Sequence, residues 1–439
     1  MLLLDLTVAY LAARRHKTKS EAHKRFVKRL KENLFKLCDD IRNWTYVIAP
    51  SIYFIQMNPI QREVFAGNFR DRIVHHLIYN YIYPYRDKQF IYDSYSCREG
   101  KWTSMGVERI AKFCRSSTDC YTKEAWIMKL DIQWYFMSID RAILRKKVND
   151  YLSNRENLPW NTPKTKDDTS EIDNLEREEL RKKIEEIFLD WSNKAMSERR
   201  EQLHYTKRYY WKFPEFLLKV VYDIIYNNPT ENWIFRGHAS DYDWLPKTKS
   251  LFFARENCWL PIGNLTSQLF SNVYLNDFDH FVKEELKIKY YWRYVDDFIM
   301  IHNNKEYLLS LKPIIREYLD KELHLTLHPL KNYLQTVNKG VEFLGTRIKP
   351  FRIYRAKRTI KNFYRMIRDC RGRPQRESID SYLGLMQHYK CYKIIQKILN
   401  NLDEDWCAEN ISDYTLSFLN KEKRAAILRK RYKKPERLE

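Results

Sequence analysis

The sequence predicts an α+β fold, and two apolar segments that carry carboxylates are the basis of this prediction. Trp126 to Asp131 is a short apolar run that ends at a carboxylate, which is typical of a buried strand. Tyr290 to Ile301 has the pattern of two apolar strands joined by a turn, and the turn carries Asp296 and Asp297. Helical patterns occupy much of the remaining chain. We therefore expect both segments to lie in one sheet.

The chain is long and basic. Its 439 residues are enough for two or three subdomains. Lys and Arg outnumber Asp and Glu by 79 to 57, which gives a net charge of +22, and 32 Tyr, 22 Phe and 12 Trp supply many rings. This composition suits a polyanion with exposed bases, because cations displace phosphate counterions and rings stack on unpaired bases. It is equally typical of an AT-rich genome bias with the rings in the core, so both interpretations stay open.

The cysteines and the N-terminus argue against several classes of protein. The eight Cys are scattered, without a CxxC pair or a His partner at zinc spacing, so we expect neither a disulfide framework nor a zinc site. The N-terminal apolar stretch is interrupted by Asp5 and is followed by Arg14 and Arg15, unlike a secretory signal. The sequence has no run of about 18 apolar residues, so we expect no membrane span. We expect a protein of the reducing cytoplasm with no membrane partner.

Other segments organise the chain. Phe26 to Ile41 has apolar residues at helical spacing between Lys and Arg, which predicts a basic amphipathic helix that packs on a core or faces RNA. Residues 161–170 are polar and contain Pro, and the charge-dense residues 171–200 predict a solvated helix in an insertion. Val341 to Ile348 alternates and predicts a strand. The rest is helix-like and basic, with a Lys/Arg-rich stretch at 421–434.

The tetrapeptide from Tyr294 to Asp297 carries the clearest chemical signal. It places adjacent carboxylates at a predicted hairpin tip, where their repulsion is costly without a bound cation. Hard divalent cations prefer carboxylate oxygens. Phosphoryl transfer to a hydroxyl uses two such cations, one that lowers the hydroxyl pKa and one that neutralises the triphosphate and the leaving pyrophosphate. Together with Asp131, these residues predict a metal-dependent phosphoryl-transfer site.

Ordered blocks around these carboxylates resemble the reverse transcriptases. Residues 130–140, Leu-Asp-Ile-Gln-Trp-Tyr-Phe-Met-Ser-Ile-Asp, are similar to the first palm block of that family. Residues 260–270, Leu-Pro-Ile-Gly-Asn-Leu-Thr-Ser-Gln-Leu-Phe, resemble the enzymes of diversity-generating retroelements, because most reverse transcriptases have Pro-Gln-Gly followed by Ser-Pro here. The resemblance runs from about residue 14 to 400. Residues 62–76, 92–101 and 381–384 are similar to that subfamily as well.

The resemblance implies a metal site and a polymerase reaction. Asp131, Asp296 and Asp297 would be the catalytic carboxylates that hold two Mg²⁺ ions, for which Mn²⁺ is a substitute. The carbonyl of Ile132 would help to bind metal. The implied activity is RNA-templated synthesis of error-prone cDNA from deoxynucleoside triphosphates, used for adenine-directed mutagenic retrohoming.

Further residues are implied to bind the nucleotide. Phe136 stands where the family has a steric gate against a ribose 2′-OH, although plain core packing is its alternative role. Lys331 stands where the family has a lysine near the pyrophosphate, and a solvated lysine is the alternative. Ile262, Gly263 and Gln268 complete this set. Because Ile262 supplies only apolar contact where Gln would form hydrogen bonds, we expect weakened discrimination between nucleotides.

Three arginines lie in blocks that form the fingers of related enzymes. Arg62, Arg72 and Arg98 have guanidinium groups that match triphosphate oxygens in bidentate fashion. Each one has the alternative of binding the template backbone or a neighbouring carboxylate.

The implied architecture is a right-hand polymerase fold with an antiparallel palm sheet and a helical thumb. A basic N-terminal extension and the fingers would occupy residues 1–125. The palm would occupy 126–350, with a helical insertion at about 150–250, and the thumb 351–400. Residues 401–439 would form a basic C-terminal tail.

The implied partners are nucleic acids and one protein. Members of the subfamily work with a template-repeat RNA, the cDNA and its primer, and a small basic helical accessory protein that is expected to be oligomeric. Two other interpretations stay open, which are another bacterial reverse transcriptase of the phage-defence type and a non-catalytic RNA-binding scaffold with the same fold.

Five tryptophans stand where the resembling sequences usually have glycine. The chain has only 9 Gly among 439 residues, far below a typical fraction of about 7%. An indole at these positions would crowd turns and the metal site. A UGA codon that encodes glycine, but is translated here as Trp, would explain the pattern. The five residues are Trp44, Trp102, Trp134, Trp244 and Trp259.

Overall fold

The computed structural model describes residues 2–15, 17–57, 61–153, 214–238, 240, 242, 245–389 and 391–432. The predicted insertion segments 161–170 and 171–200, and Trp244, lie outside these residues. The described strands are β1 (Ser51–Gln56), β2 (Arg62–Ala66), β3 (Ser94–Tyr95), β4 (Trp126–Asp131), β5 (Trp233–Phe235), β6 (Tyr290–Tyr294), β7 (Asp297–His302), β8 (Tyr333–Thr336), β9 (Val341–Phe343), β10 (Thr346–Lys349) and β11 (Arg352–Arg355).

The helices surround these strands and form the C-terminal part of the described chain. In chain order they are α1 (Leu2–Ala13), α2 (Glu21–Val27), α3 (Leu30–Arg42), α4 (Phe69–Arg86), α5 (Thr103–Ser117), α6 (Tyr135–Ser138), α7 (Arg141–Ser153), α8 (Glu215–Tyr226), α9 (Leu265–Tyr274), α10 (Asn276–His280), α11 (Lys305–Leu323), α12 (Lys357–Asp369), α13 (Arg376–Met386), α14 (Tyr392–Leu399), α15 (Glu404–Asn410), α16 (Asp413–Leu416) and α17 (Lys421–Arg431).

The main sheet has five strands in the order β3-β6-β7-β4-β8. All of its pairs are antiparallel except β3 with β6, which is parallel. Met128 and Phe298 point into the largest core, which also contains α4 and α9 residues. Ile127 and Ile299, on the opposite face, pack in a second core with α5 and the strands β9 and β10. The predictions of an α+β fold and of one sheet holding both carboxylate segments are therefore confirmed.

A second sheet joins segments that are distant in sequence. Its order is β2-β1-β5, with β1 antiparallel to β2 and parallel to β5. The sheet therefore links the N-terminal part of the chain to a strand that follows the undescribed residues 154–213.

The segment from Val341 to Ile348 forms a hairpin, so the prediction of a single strand was wrong. Phe343 pairs with Thr346 across a two-residue turn. Leu344 and Gly345 in this turn have φ of 47° and 71°. Positive φ at both central residues is the geometry of a type I′ turn, which reverses the chain between antiparallel strands.

The N-terminal helices differ from the prediction in one respect. The segment from Phe26 to Ile41 is divided between α2 and α3, because Arg29 has φ −133° and ψ 53°, outside the helical region. Its apolar residues Phe26, Leu34, Leu37 and Ile41 are buried, so this segment packs on the core. The α1 helix is almost wholly buried. Among the described residues, no helix is long and apolar enough to cross a membrane.

The C-terminal helices share a hydrophobic core of their own. Phe363 of α12 and Leu383 of α13 pack in the same cluster as Cys407 of α15 and Ile427 of α17. This core continues across residue 400, although a basic tail was predicted to begin at residue 401.

Candidate active site

The three predicted carboxylates lie at one end of the main sheet. Asp131 is the last residue of β4 and Asp297 is the first residue of β7, and their Cα atoms are partners in the antiparallel register. Asp296 is in the two-residue turn between β6 and β7. The sheet topology therefore brings together carboxylates that are far apart in sequence.

The turn that carries Asp296 has a strained backbone. Val295 has φ 56°, a left-handed conformation that is unusual for a β-branched residue. Asp296 keeps a negative φ, and a positive φ at only the first turn residue is typical of a type II′ turn, where glycine is preferred. The Nη1 atom of Arg293 donates a hydrogen bond to the carbonyl oxygen of Val295 at 2.9 Å. This contact holds the strained turn against the sheet.

Arg293 belongs to a buried network beneath the turn. Its Nε and Nη2 donate to the two carboxylate oxygens of Asp279 at 2.7 and 2.6 Å, and both side chains are fully buried. Arg293 also donates to Ser94 Oγ at 3.0 Å and to Asn272 Oδ1 at 3.3 Å, and Tyr291 donates to Asp279 at 2.7 Å. Burial by itself lowers the pKa of Arg293, but Asp279 raises it above its ordinary value.

Electrostatics at the carboxylates favour an added cation. Burial, together with the charges of Asp131 and Asp297, raises the pKa of Asp296 to about 7. Burial also raises the pKa of Asp297, whereas the nearby positive charge of Lys129 lowers it. A positive charge placed among these carboxylates would relieve both effects.

Two lysines neutralise part of this negative charge. Lys331 Nζ lies 2.6 Å from Asp131 Oδ2, and Lys129 Nζ lies 3.1 Å from Asp297 Oδ1. Lys129 also lies 4.8 Å from the centre of the Phe343 ring. Lys331 therefore lies beside the candidate carboxylates, and its role near a pyrophosphate stays a prediction. Lys129 was not predicted to lie at this site. It is two residues before Asp131, however, so the two side chains lie on the same face of β4.

The donor set suits a hard divalent cation. Asp131, Asp296 and Asp297 offer carboxylate oxygens, and burial together with the charges of Asp131 and Asp297 raises the Asp296 pKa. Within the described ranges, no group of three or more His, Cys, Asp or Glu side chains is arranged as a metal-binding cluster. In the structure, Asp131 and Asp297 are thus paired with lysines. A bound metal ion would replace these lysines as the partner of the carboxylate oxygens. Ile132, the remaining predicted ligand, follows β4 and its backbone pairs with Leu327.

The predicted nucleotide-binding loops are joined through the backbone. The Leu260 N–H donates to the Phe136 carbonyl at 2.7 Å, and the Phe65 N–H of β2 donates to the Ile262 carbonyl at 2.8 Å. Gly263 has φ 126°, and a Cβ there would lie 2.8 Å from Val64, so only glycine fits this turn. Phe136 and Ile262 are half-buried and Gln268 is exposed at the start of α9.

The three predicted arginines have different surroundings. Arg62 is exposed on β2. Arg72 is half-buried on α4, and its Nε is a buried donor that bonds to none of the described residues. Arg98 donates to Asp87 Oδ1 at 2.6 Å and to the carbonyls of Ile91 and Ser94 at 2.8 Å. Arg98 therefore makes the contact to a neighbouring carboxylate that was its alternative role.

The tryptophans at expected glycine positions fall into three groups. Trp44 and Trp134 have φ of 64° and 50° and are about half exposed. Trp102 is the exposed N-cap of α5, with an ordinary φ of −75°. Trp259 is buried, and the guanidinium of Arg141 lies 3.6 Å from its ring centre. Two of the four described positions thus have a backbone conformation that favours glycine.

Comparisons with known proteins give remote structural similarity. No family model matches the sequence, and no curated protein matches it. The telomerase from Candida albicans in complex with a TWJ fragment of telomeric RNA is similar at 12% identity, over 87% of this chain and 64% of that chain, with a TM-score of 0.40. Apo telomerase from Candida tropicalis, truncated from its C-terminal domain, is 12% identical over 73% of this chain and 59% of that chain, also with a TM-score of 0.40.

The complex of Candida tropicalis telomerase with a TWJ fragment of telomeric RNA is 12% identical over 85% of this chain and 57% of that chain, with a TM-score of 0.39. This chain therefore spans less than two thirds of the length of each of these telomerase chains. TM-scores at this level do not establish a shared fold.

Proposed function

We propose that this protein is an RNA-templated DNA polymerase of the reverse-transcriptase type. The observation that carries the proposal is the pairing of Asp131 with Asp297 at the end of the main sheet, with Asp296 in the adjoining turn. The ordered blocks that resemble reverse transcriptases support it. In this proposal the sheet β2-β1-β5 belongs to the fingers, the main sheet is the palm, and the helices from α12 onward form the thumb of a right-hand fold.

The proposed reaction is attack of a primer 3′-OH on the α-phosphorus of a deoxynucleoside triphosphate. A new P–O bond forms, the bond to the β-phosphate breaks, and pyrophosphate leaves. Bound Mg²⁺ or Mn²⁺ would lower the pKa of the hydroxyl and neutralise the triphosphate. Asp131, Asp296 and Asp297 would hold these ions. Lys331, which lies beside Asp131, would supply a positive charge for the leaving pyrophosphate.

The other predicted residues shape the nucleotide site. The Phe136 carbonyl accepts a hydrogen bond from the N–H of Leu260, two residues before Ile262. In the proposal, the side chains of Phe136 and Ile262 contact the sugar and base of the incoming nucleotide. Gly263 lets the loop lie close to Val64 of β2. Gln268 and Arg72 are polar side chains on the helices next to this loop.

We also propose the finer assignment to a diversity-generating retroelement. In that role the enzyme copies a template-repeat RNA with errors at adenines, in the cytoplasm, together with a small basic accessory protein. The support is the sequence from Leu260 to Gln268. Sequencing the neighbouring DNA tests this assignment, since a pair of near-identical repeats that differ at adenines is expected. Neighbouring phage-defence genes without such repeats would contradict it.

Primer extension on an RNA template with Mg²⁺ tests the polymerase activity. Asp131→Asn, Asp296→Asn and Asp297→Asn are each expected to lower the extension rate by at least about 100-fold, because each removes a metal-binding charge. Asp320→Asn, at an exposed position on α11, is the matched control and should keep the wild-type rate. Unchanged extension in all three variants would contradict the assigned site. No extension by any form, with RNA still bound, would favour the scaffold.

Replacement of Ile262 tests the proposed low fidelity. Ile262→Gln is expected to lower misincorporation opposite template adenines several-fold, because the amide adds polar contacts that discriminate between pairs. The control is Ile314→Gln, at an exposed position on α11. Equal error frequencies for wild type and Ile262→Gln, read by sequencing the cDNA, would rule out this role.

A further inference from the structure

A basic pocket lies outside the proposed active site. It has a volume of about 650 Å³ and lies between α5, the π-helical turn Phe281–Glu285 and the first residue of β6. Five basic side chains line it. They are Arg109, Lys112, Arg115, Lys283 and Lys289.

The two carboxylates in this basic pocket already have partners. Asp93 accepts hydrogen bonds from Nε and Nη2 of Arg109 at 2.8 and 3.0 Å. Asp119 lies 3.2 Å from Nζ of Lys123, which is outside the pocket. Four cations of the lining are therefore left without a carboxylate partner among the described residues. An anionic ligand would neutralise them.

The structure holds several of these cations in place. Lys283 is half-buried and donates to the carbonyl of Lys289 at 2.8 Å. Burial lowers the pKa of Lys283, the charge of Asp93 partly offsets this, and Arg109 adds to the lowering, so a further anion nearby would relieve the cost of the Lys283 charge. The Phe113 and Tyr290 rings, with centres 5.3 Å apart, form an aromatic wall. Lys112 and Lys289 are exposed at the rim.

The basic pocket is distinct from the polymerisation site. Tyr290 is at the opposite end of β6 from Tyr294, which precedes the catalytic turn. Four residues of extended strand span about 13 Å. The lining of the pocket contains none of Asp131, Asp296 and Asp297.

We propose that the basic pocket binds the phosphodiester backbone of a single-stranded nucleic acid, the RNA template, outside the polymerisation site. The identification of the strand as template RNA rests on the proposed function. The DNA product has the same backbone chemistry, and the experiment below separates the two. Lys and Arg side chains that bind phosphates displace the counterions of the nucleic acid. The affinity of this contact should therefore fall measurably as the salt concentration rises.

The test compares two double variants that remove the same charge. Lys112→Gln with Lys289→Gln alters the rim of the pocket, and Lys312→Gln with Arg316→Gln alters α11, away from it. Affinity for a long single-stranded RNA is measured by fluorescence anisotropy over a series of salt concentrations. The pocket variant is expected to bind about tenfold more weakly, with a slope of log affinity against log salt that is smaller by about 1 to 1.5.

Each outcome separates the pocket from the proposed function. A loss of RNA affinity of this size supports template binding, whether or not the affinity for single-stranded DNA falls as well, whereas a loss for DNA alone overturns it. Unchanged affinity and slope for both strands also overturn the proposal. Extension of a short primer–template should be unaffected in the pocket variant. If wild-type protein extends no primer, the proposed function fails while the RNA-binding comparison still tests the pocket.

Discussion

The Arg293 side chain donates a hydrogen bond to the carbonyl oxygen of Val295 at 2.9 Å while its other donors bind the buried carboxylate of Asp279. This arrangement connects the turn that carries Asp296 to the helical layer beneath the sheet. A strained turn persists only where its surroundings determine it. The network around Arg293 provides this support for the proposed active site.

Removal of Arg293 should strongly destabilise the protein. Arg293→Met leaves the Asp279 charge buried without its partner, and we expect the free energy of unfolding to fall by about 3–5 kcal/mol. Urea unfolding followed by circular dichroism measures this change. Arg316→Met, at an exposed position on α11, is the control and should change stability by less than about 0.5 kcal/mol. A loss below about 1 kcal/mol for Arg293→Met would show that the network contributes little.

Glycine at position 295 should relieve the strain in the turn. The left-handed backbone of Val295 costs about 1–3 kcal/mol, whereas glycine costs about 0.5–1 kcal/mol in conformational entropy. Val295→Gly is therefore expected to raise the free energy of unfolding by about 1 kcal/mol. Val64→Gly, in the extended strand β2, should instead lower it. A destabilised Val295→Gly protein would contradict the strain assigned to this turn.

Glycine should also be favourable at two of the unusual tryptophans. Trp44→Gly and Trp134→Gly are each expected to stabilise the protein by about 1 kcal/mol, because both residues have a left-handed backbone and exposed rings. Trp259→Gly should destabilise it by about 3 kcal/mol or more, since that ring is buried against Arg141. Thermal unfolding compares the three variants. Equal losses at all three positions would argue against glycine as the native residue at 44 and 134.

Mass spectrometry of the native protein tests the recoded codon directly. Peptides that contain Gly at position 134 are expected if UGA encodes glycine in the source organism. Peptides with Trp at this position, or UGG codons in the gene, would refute the hypothesis.

Acid should destabilise the protein through His75. Burial lowers the pKa of this imidazole to about 3, against an ordinary value of 6.5, and its Nδ1 lies 2.8 Å from Thr266 Oγ1. Below about pH 6.5 the unfolded chain binds a proton that the folded state does not, so stability is lost as the pH falls. At about pH 5 the expected loss is about 2 kcal/mol.

The variant His75→Gln isolates this contribution. Between about pH 7 and pH 5, the free energy of unfolding of wild type should fall by about 2 kcal/mol more than that of His75→Gln. His388→Gln, at an exposed position, should keep the wild-type pH dependence. Parallel pH profiles for wild type and His75→Gln would contradict the low pKa of His75.

The sequence was sufficient to predict the strands that carry the carboxylates, because β4, β6 and β7 are short apolar runs with a local turn signal. The hairpin from Val341 to Lys349 was missed because its turn consists of only Leu344 and Gly345, whose positive φ reverses the chain. Here a local conformation decided the structure.

Partners that are distant in sequence could not be predicted. Arg293 is a charged residue in an apolar strand, but nothing in the sequence identifies Asp279 as its partner. Lys129 was likewise missed, because its contact with Asp297 depends on the pairing of β4 with β7. The basic pocket combines α5 with the segment before β6, so its charges converge only in the folded chain.

Template-directed incorporation of nucleotides is the decisive measurement for the proposed polymerase activity. Purified protein is incubated with Mg²⁺, a primer annealed to RNA, and one labelled deoxynucleoside triphosphate at a time, and the extended primer is measured. The proposed function predicts that each nucleotide is added mainly opposite its complementary template base, with the least discrimination opposite adenine, and that Asp296→Asn abolishes the addition. Addition that ignores the template, or that persists in Asp296→Asn, would contradict it.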